Sequence, residues 1–122
     1  MIKKNLLVLL LSSLFIQCVM PQTPSTRIRH GVVFTLKHAQ GSPEEKSFIE
    51  AIKKLADIPG VENLEFMKEI SKKNNFDYGL SMEFANQAAY DAYNNHPDHV
   101  AFVQNRWLKE VKDFMEIDFA LE

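Results

Sequence analysis

The residues most able to do chemistry cluster in one short stretch of the C-terminal third of the chain. In order they are Tyr93, Asn94, Asn95, His96, Pro97, Asp98 and His99. An imidazole titrates near neutral pH and a phenol donates a hydrogen bond, so this stretch could move protons or hold a polar ligand. The same residues could instead form a plain junction between two helices. Composition and spacing alone do not name a substrate.

Pro97 divides this stretch between two helices. A proline disfavours helical geometry in the residue before it and suits the first position of a new helix. We therefore predict that one helix ends near Asn94 and that another begins at Pro97. The positive end of the helix dipole then favours Asp98 and disfavours a charge on His99, whose imidazole should stay neutral.

A metal site formed by His96, Asp98 and His99 is a weaker interpretation. The two histidines are three positions apart, which places them on one helical face only if both are helical. Because His96 precedes the proline, that geometry fails. We expect no metal ion and no other cofactor.

Length and charge restrict the class of protein. A chain of 122 residues indicates one domain, and a net charge of −2 gives no basic surface for nucleic acid. Cys18 is the only cysteine, so neither an intrachain disulfide nor a cysteine metal site can form. A domain of this size buries little surface by itself, which makes a partner chain plausible.

Residues 1–22 are predicted to be a signal peptide. Lys3 and Lys4 precede an apolar run from Leu6 to Ile16 that is short for a membrane span. Export to the periplasm or the extracellular space follows, with cleavage after residue 22 or, alternatively, a lipid anchor on Cys18. Residues 23–27 are then a linker, and the mature domain, residues 28–122, carries no membrane span.

The mature domain alternates between strand and helix patterns. Period-two alternation predicts strands over Ile28–Lys37, Val61–Ile70, Tyr78–Phe84 and Phe114–Leu121. Capping signals predict helices that begin after Ser42 and Asn86, the second interrupted at Pro97. The order β-α-β-β-α-β is that of an α+β, ferredoxin-like domain with a four-stranded antiparallel sheet.

The more apolar face of each strand is expected to lie under the helices. On the first strand this face includes His30, which would point toward Tyr93 and His99. A core histidine satisfied by a nearby carbonyl is the alternative. On the last strand the more apolar face carries Met115, Ile117, Phe119 and Leu121. The mixed opposite face could be wet or could meet a second copy of the chain.

The chain resembles the Dabb family, the stress-responsive dimeric α/β-barrel proteins, over Ile28 to Leu121. The resemblance rests on Arg29-His30, Ile58-Pro59-Gly60-Val61, Asp77-Tyr78, and Tyr93 with His96-Pro97-Asp98-His99 and Phe102. It implies a homodimer in which two sheets face each other as a barrel. Most members of that family have no assigned activity.

A few plant members of the family are cofactor-free polyketide cyclases that use a tyrosine and two histidines. The resemblance places these residues at Tyr93, His99 and His30. It implies that His99 is the base that removes a proton next to a carbonyl, that Tyr93 is the donor to the enolate, and that His30 assists.

Three functions therefore remain open. The first is an exported homodimer that binds a small apolar or phenolic ligand or has no catalytic role. The second is a cofactor-free cyclase or lyase that uses His30, Tyr93 and His99, with His96, Pro97 and Asp98 in the pocket or in a structural junction. The third is a monooxygenase of the related dimeric barrels. A cavity that reaches His30, Tyr93 and His99 together would favour the second.

Overall fold

The computed structural model describes residues 25–122. The predicted signal peptide and Cys18 lie outside these residues. The elements, in chain order, are β1 (Arg27–Leu36), α1 (Pro43–Lys53), a 3₁₀ turn (Lys54–Asp57), β2 (Glu62–Lys68), β3 (Tyr78–Phe84), α2 (Gln87–Asn95), α3 (Pro97–Phe102), a π-helical turn (Val103–Trp107), α4 (Leu108–Glu110) and β4 (Val111–Leu121).

The four strands form one antiparallel sheet in the order β2-β3-β1-β4. This is the predicted ferredoxin-like arrangement, and the α+β prediction is confirmed. β1 begins at Arg27, so that residue belongs to the sheet and not to the predicted linker, residues 23–27. β4 begins at Val111, before the predicted Phe114. None of the helices within residues 25–122 is both long and apolar enough to cross a membrane.

The junction between α2 and α3 has the predicted form. His96 is extended, with φ −66° and ψ 135°, and Pro97 is the first residue of α3. The His96 Nδ1 accepts a hydrogen bond from the backbone N–H of Asp98 at 3.1 Å and caps the new helix. The predicted caps at Ser42 and Asn86 also begin their helices. Local chemistry thus sets the point where the chain turns above the sheet.

The core lies between the helices and one face of the sheet. Its central side chains are fully buried and aromatic or aliphatic: Phe34, Phe48, Ile52, Met82 and Phe84. Tyr78 is also buried, and its hydroxyl donates a hydrogen bond to the buried carboxylate of Glu45. This bond lowers the pKa of Glu45, so the carboxylate stays ionised inside the fold.

The prediction for the faces of β4 is wrong. In the register with β1, His30 lies opposite Asp118 and Val32 opposite Glu116, which places both acidic residues on the helix side. Met115, Ile117 and Phe119 therefore lie on the other face, together with Arg29, Gly31 and Val33 of β1. The register of β4 is set by its pairing with β1, which shifts at a bulge between Thr35 and Leu36. Because β4 is an edge strand, the helices cover it incompletely and do not require an apolar side.

Candidate functional site

A cavity of about 350 Å³ lies between the sheet and the helical layer. This volume falls within the range of pockets that hold small ligands. His30, Tyr93 and His99, the three predicted site residues, all line it. His30 comes from β1, Tyr93 from the last turns of α2 and His99 from the first turn of α3. The junction at Pro97 brings the rings of Tyr93 and His99 together, with centroids 4.3 Å apart and the ring planes tilted by 37°.

The cavity has a polar part and an apolar wall. His30, Tyr93 and His99 share the polar part with Tyr90, Asn94 and Glu116. The apolar wall includes Val32, Leu80, Phe102, Trp107 and Phe114. A pocket with this division can hold the apolar body of a ligand while a few polar groups fix its orientation.

His30 is held by a carboxylate and a phenol. Its Nδ1 lies 2.6 Å from Oδ1 of Asp118 and 2.9 Å from the hydroxyl of Tyr90. The Tyr90 hydroxyl also donates to Asp118, at 3.0 Å from Oδ2. Because a carboxylate only accepts hydrogen bonds, Nδ1 carries a proton directed at Asp118, and Nε2 is the ring nitrogen that this carboxylate leaves open. The partner of His30 is therefore a side-chain carboxylate, where the sequence had suggested a carbonyl.

A backbone carbonyl fixes the tautomer of His99. Its Nδ1 lies 3.2 Å from the carbonyl oxygen of Asn94, which can only accept, so Nε2 is left as an acceptor. Burial lowers the pKa of His99 below its ordinary value, although the bond to Asn94 opposes this shift. The ring is therefore neutral at pH 7, as the sequence predicts, with burial as the main cause.

Tyr93 supplies a protonated hydroxyl. The residue is only 2% exposed, and no hydrogen-bond partner of its hydroxyl is found within residues 25–122. Burial raises the pKa of Tyr93, and Tyr90 and Glu116 add to the effect. The phenol thus keeps its proton and can donate it to a ligand atom in the cavity. A donor and a neutral acceptor, Tyr93 and His99, consequently line the same space.

The residues next to the proline have a structural role in this arrangement. His96, Pro97 and Asp98 do not line the cavity. His96 caps α3 through its Nδ1, and the side chain of Asp98 is 80% exposed. No group of three or more histidine, cysteine, aspartate or glutamate side chains in residues 25–122 could hold a metal ion.

Sequence reasoning missed three polar residues of the site: Tyr90, Glu116 and Asp118. Tyr90 has no sequence signal beyond its place on the helix that begins after Asn86. Glu116 and Asp118 were assigned to the wrong side of β4, because the apolar residues of that strand were assumed to face the helices. The available signal was their spacing, since residues two apart on a strand share a face.

The fold and the cavity define a ferredoxin-like domain with a site of histidines and tyrosines between its sheet and its helices. The sequence model of the stress responsive A/B barrel domain, Dabb, matches residues 28–121. The chain belongs to this family.

Solved structures agree with this assignment. A Dabb family protein with a ferredoxin-like fold from Mesorhizobium loti is 55% identical, with a TM-score of 0.77 over 80% of this chain and 99% of the other. A dimeric ferredoxin-like protein of unknown function from Thermobifida fusca is 26% identical, with a TM-score of 0.66 over 84% and 97%. A hydroxynitrile lyase from Passiflora edulis is 13% identical, with a TM-score of 0.71 over 82% and 96%, which shows a shared fold alone. No curated protein matches the sequence.

Proposed function

We propose that the cavity binds a small apolar or phenolic carbonyl compound and moves protons on it without a cofactor. The observation that supports this proposal is the cavity itself, which His30, Tyr93 and His99 line together. A sealed core would have favoured a purely structural role for these residues. A binding protein without catalysis remains the alternative and shares the same ligand site.

The proposed reaction begins with removal of a proton from the carbon next to a carbonyl. The C–H bond breaks, the proton goes to Nε2 of His99, and the electron pair moves to the carbonyl oxygen. The Tyr93 hydroxyl donates a hydrogen bond to the resulting enolate oxygen. Asp118 and Tyr90 fix the ring of His30, which orients the ligand from β1. Return of the proton to carbon completes an exchange. In an aldol step the enolate carbon instead attacks a second carbonyl carbon, whose oxygen takes the bonding pair and then the proton from His99.

The direct test is hydrogen–deuterium exchange at carbon. The ketone 1-phenyl-2-propanone in D₂O, followed by NMR, should exchange its acidic hydrogens faster with the protein than with buffer alone. Because burial lowers the pKa of His99, the rate should fall toward acid pH with a midpoint below the ordinary pKa of a histidine, as the base becomes protonated. Exchange no faster than with an equal concentration of free imidazole would contradict the proposal.

We also propose that the protein is a homodimer that pairs through the open face of its sheet. Met67, Met115, Ile117 and Phe119 are between 39% and 53% exposed in the single chain. Exposed apolar groups on one surface are typical of a protein interface. The similar protein from Thermobifida fusca is described as dimeric. An edge strand with an apolar outer side is also a liability unless a partner covers it.

Export through a signal peptide is a further proposal, supported by the sequence of residues 1–22. Mass spectrometry of protein from its native host should find a chain that lacks about the first twenty residues. A diacylglyceryl group on an N-terminal Cys18 would indicate the lipid-anchored alternative. A native protein that retains Met1 would rule out both routes.

A further inference from the structure

Among the described residues, the polar part of the cavity carries an acidic side chain and neither lysine nor arginine. Glu116 lines it, and Asp118 lies just behind His30. The lining residues within the described chain include neither lysine nor arginine. An anionic ligand would therefore meet the negative charge of Glu116 without a lysine or arginine among these lining residues to neutralise it.

Glu116 is the carboxylate that remains available to bind a ligand in the cavity. The oxygens of Asp118 are already hydrogen-bonded to His30 and Tyr90. Glu116 has no hydrogen-bond partner of this kind within residues 25–122, and it projects from β4 on the same side as its cross-strand neighbour Val32. Its negative charge is close enough to contribute to the raised pKa of Tyr93, after burial and Tyr90.

The remaining walls suit a cation. The rings of Tyr93, Trp107 and Phe114 line the cavity, and aromatic faces attract a positive charge. The Tyr93 hydroxyl, for which no hydrogen-bond partner is found within the described residues, offers a lone pair as well as a proton. A protonated amine could thus donate hydrogen bonds to Glu116 while its apolar body packs on the aromatic wall.

We propose that Glu116 is the specificity-determining residue of the cavity, and that the ligand is a small aromatic compound that carries a protonated amine. This inference rests on the proposed function only in taking the cavity as a ligand site. It adds the charge of the ligand and the residue that recognises it. A carboxylate of the same size and shape is rejected.

Three probes that differ mainly in their head group test the inference: 2-phenylethylamine, 2-phenylethanol and phenylacetate. Trp107 is the only tryptophan and lines the cavity, so its fluorescence reports binding directly. At pH 7.5 the amine should bind about tenfold or more tightly than phenylacetate, with the alcohol between them. In Glu116→Gln the amine and phenylacetate should bind within about threefold of each other, because the charge is gone but the shape remains.

The control is Glu50→Gln, which removes the same charge from an exposed position on α1 away from the cavity. This variant should keep the preference for the amine. Equal affinity for amine and carboxylate in the wild type, or a preference that survives Glu116→Gln, would overturn the inference. Binding that prefers the amine, without any deuterium exchange, would support the role of Glu116 in specificity and would refute catalysis. Binding of none of the probes would refute both.

Discussion

Replacing Ile117 by aspartate should convert the protein from a dimer into a monomer. Ile117 lies opposite Gly31 on the open face of the sheet, between Met115 and Phe119, and is 39% exposed in the single chain. Dimerisation through this face would bury the side chain in both copies. The variant would lose that apolar burial and would instead bury two unpaired carboxylates. Together these effects amount to about 4 kcal/mol or more, which raises the dissociation constant about 1,000-fold.

Light scattering after gel filtration gives the mass of the mature chain and of its variant at the same micromolar concentration. The matched control is Val100→Asp, which places the same charge at an exposed apolar residue of α3. That variant should remain a dimer. If Ile117→Asp still runs as a dimer, the dimer does not form through the open face of the sheet.

Replacing Tyr93 by phenylalanine should slow deuterium exchange about 100-fold while the fold keeps its stability. The change removes the donor to the enolate oxygen, a loss that costs about 10²–10³ in rate where such donors act. It removes no hydrogen bond within residues 25–122, so the free energy of unfolding should change by less than about 1 kcal/mol. His99→Gln should lower the rate by at least as much, because the base itself is lost.

Tyr78→Phe should have the opposite effects to Tyr93→Phe, because it should lower stability and leave the exchange rate unchanged. Tyr78 is as buried as Tyr93, but its hydroxyl is the partner of Glu45 and does not line the cavity. Its loss leaves a buried carboxylate without that bond and should destabilise the fold by about 1–3 kcal/mol, with the exchange rate unchanged. Thermal unfolding and NMR exchange on the three variants separate the two roles. If Tyr93→Phe and His99→Gln lower the melting temperature and leave exchange intact, the stretch at Pro97 is only a helix connector.

The parts of the structure that local chemistry decides could be predicted from the sequence. The restart at Pro97 follows from the restriction that a proline places on its own φ and on the preceding residue. The position of His30 on the helix side of β1 follows from strict alternation along a strand in the middle of the sheet. These two features were enough to bring Tyr93, His99 and His30 to one cavity.

The face of β4 that turns toward the helices could not be predicted in this way, because it depends on which surface is covered by the helices and which by another chain. Alternation along β4 shows that Met115, Ile117 and Phe119 share a face, but it does not show whether helices or another chain would bury that face. Assigning them to the helices placed Asp118 and Glu116 on the wrong side. The proton-bearing nitrogen of His30 also depends on Asp118, which is far from it in the chain, so its tautomer could not be read from neighbouring residues.

The bulge between Thr35 and Leu36 has a consequence for the whole of β4. Neighbouring residues of that strand point to opposite sides, so a slip of one position exchanges everything the two sides carry. Such a slip would turn the acidic groups of Asp118 and Glu116 outward and bring Ile117 and Phe119 into the cavity. One irregularity in hydrogen bonding at the start of β4 thus keeps the acidic groups on the cavity side and the exposed apolar groups on the opposite face.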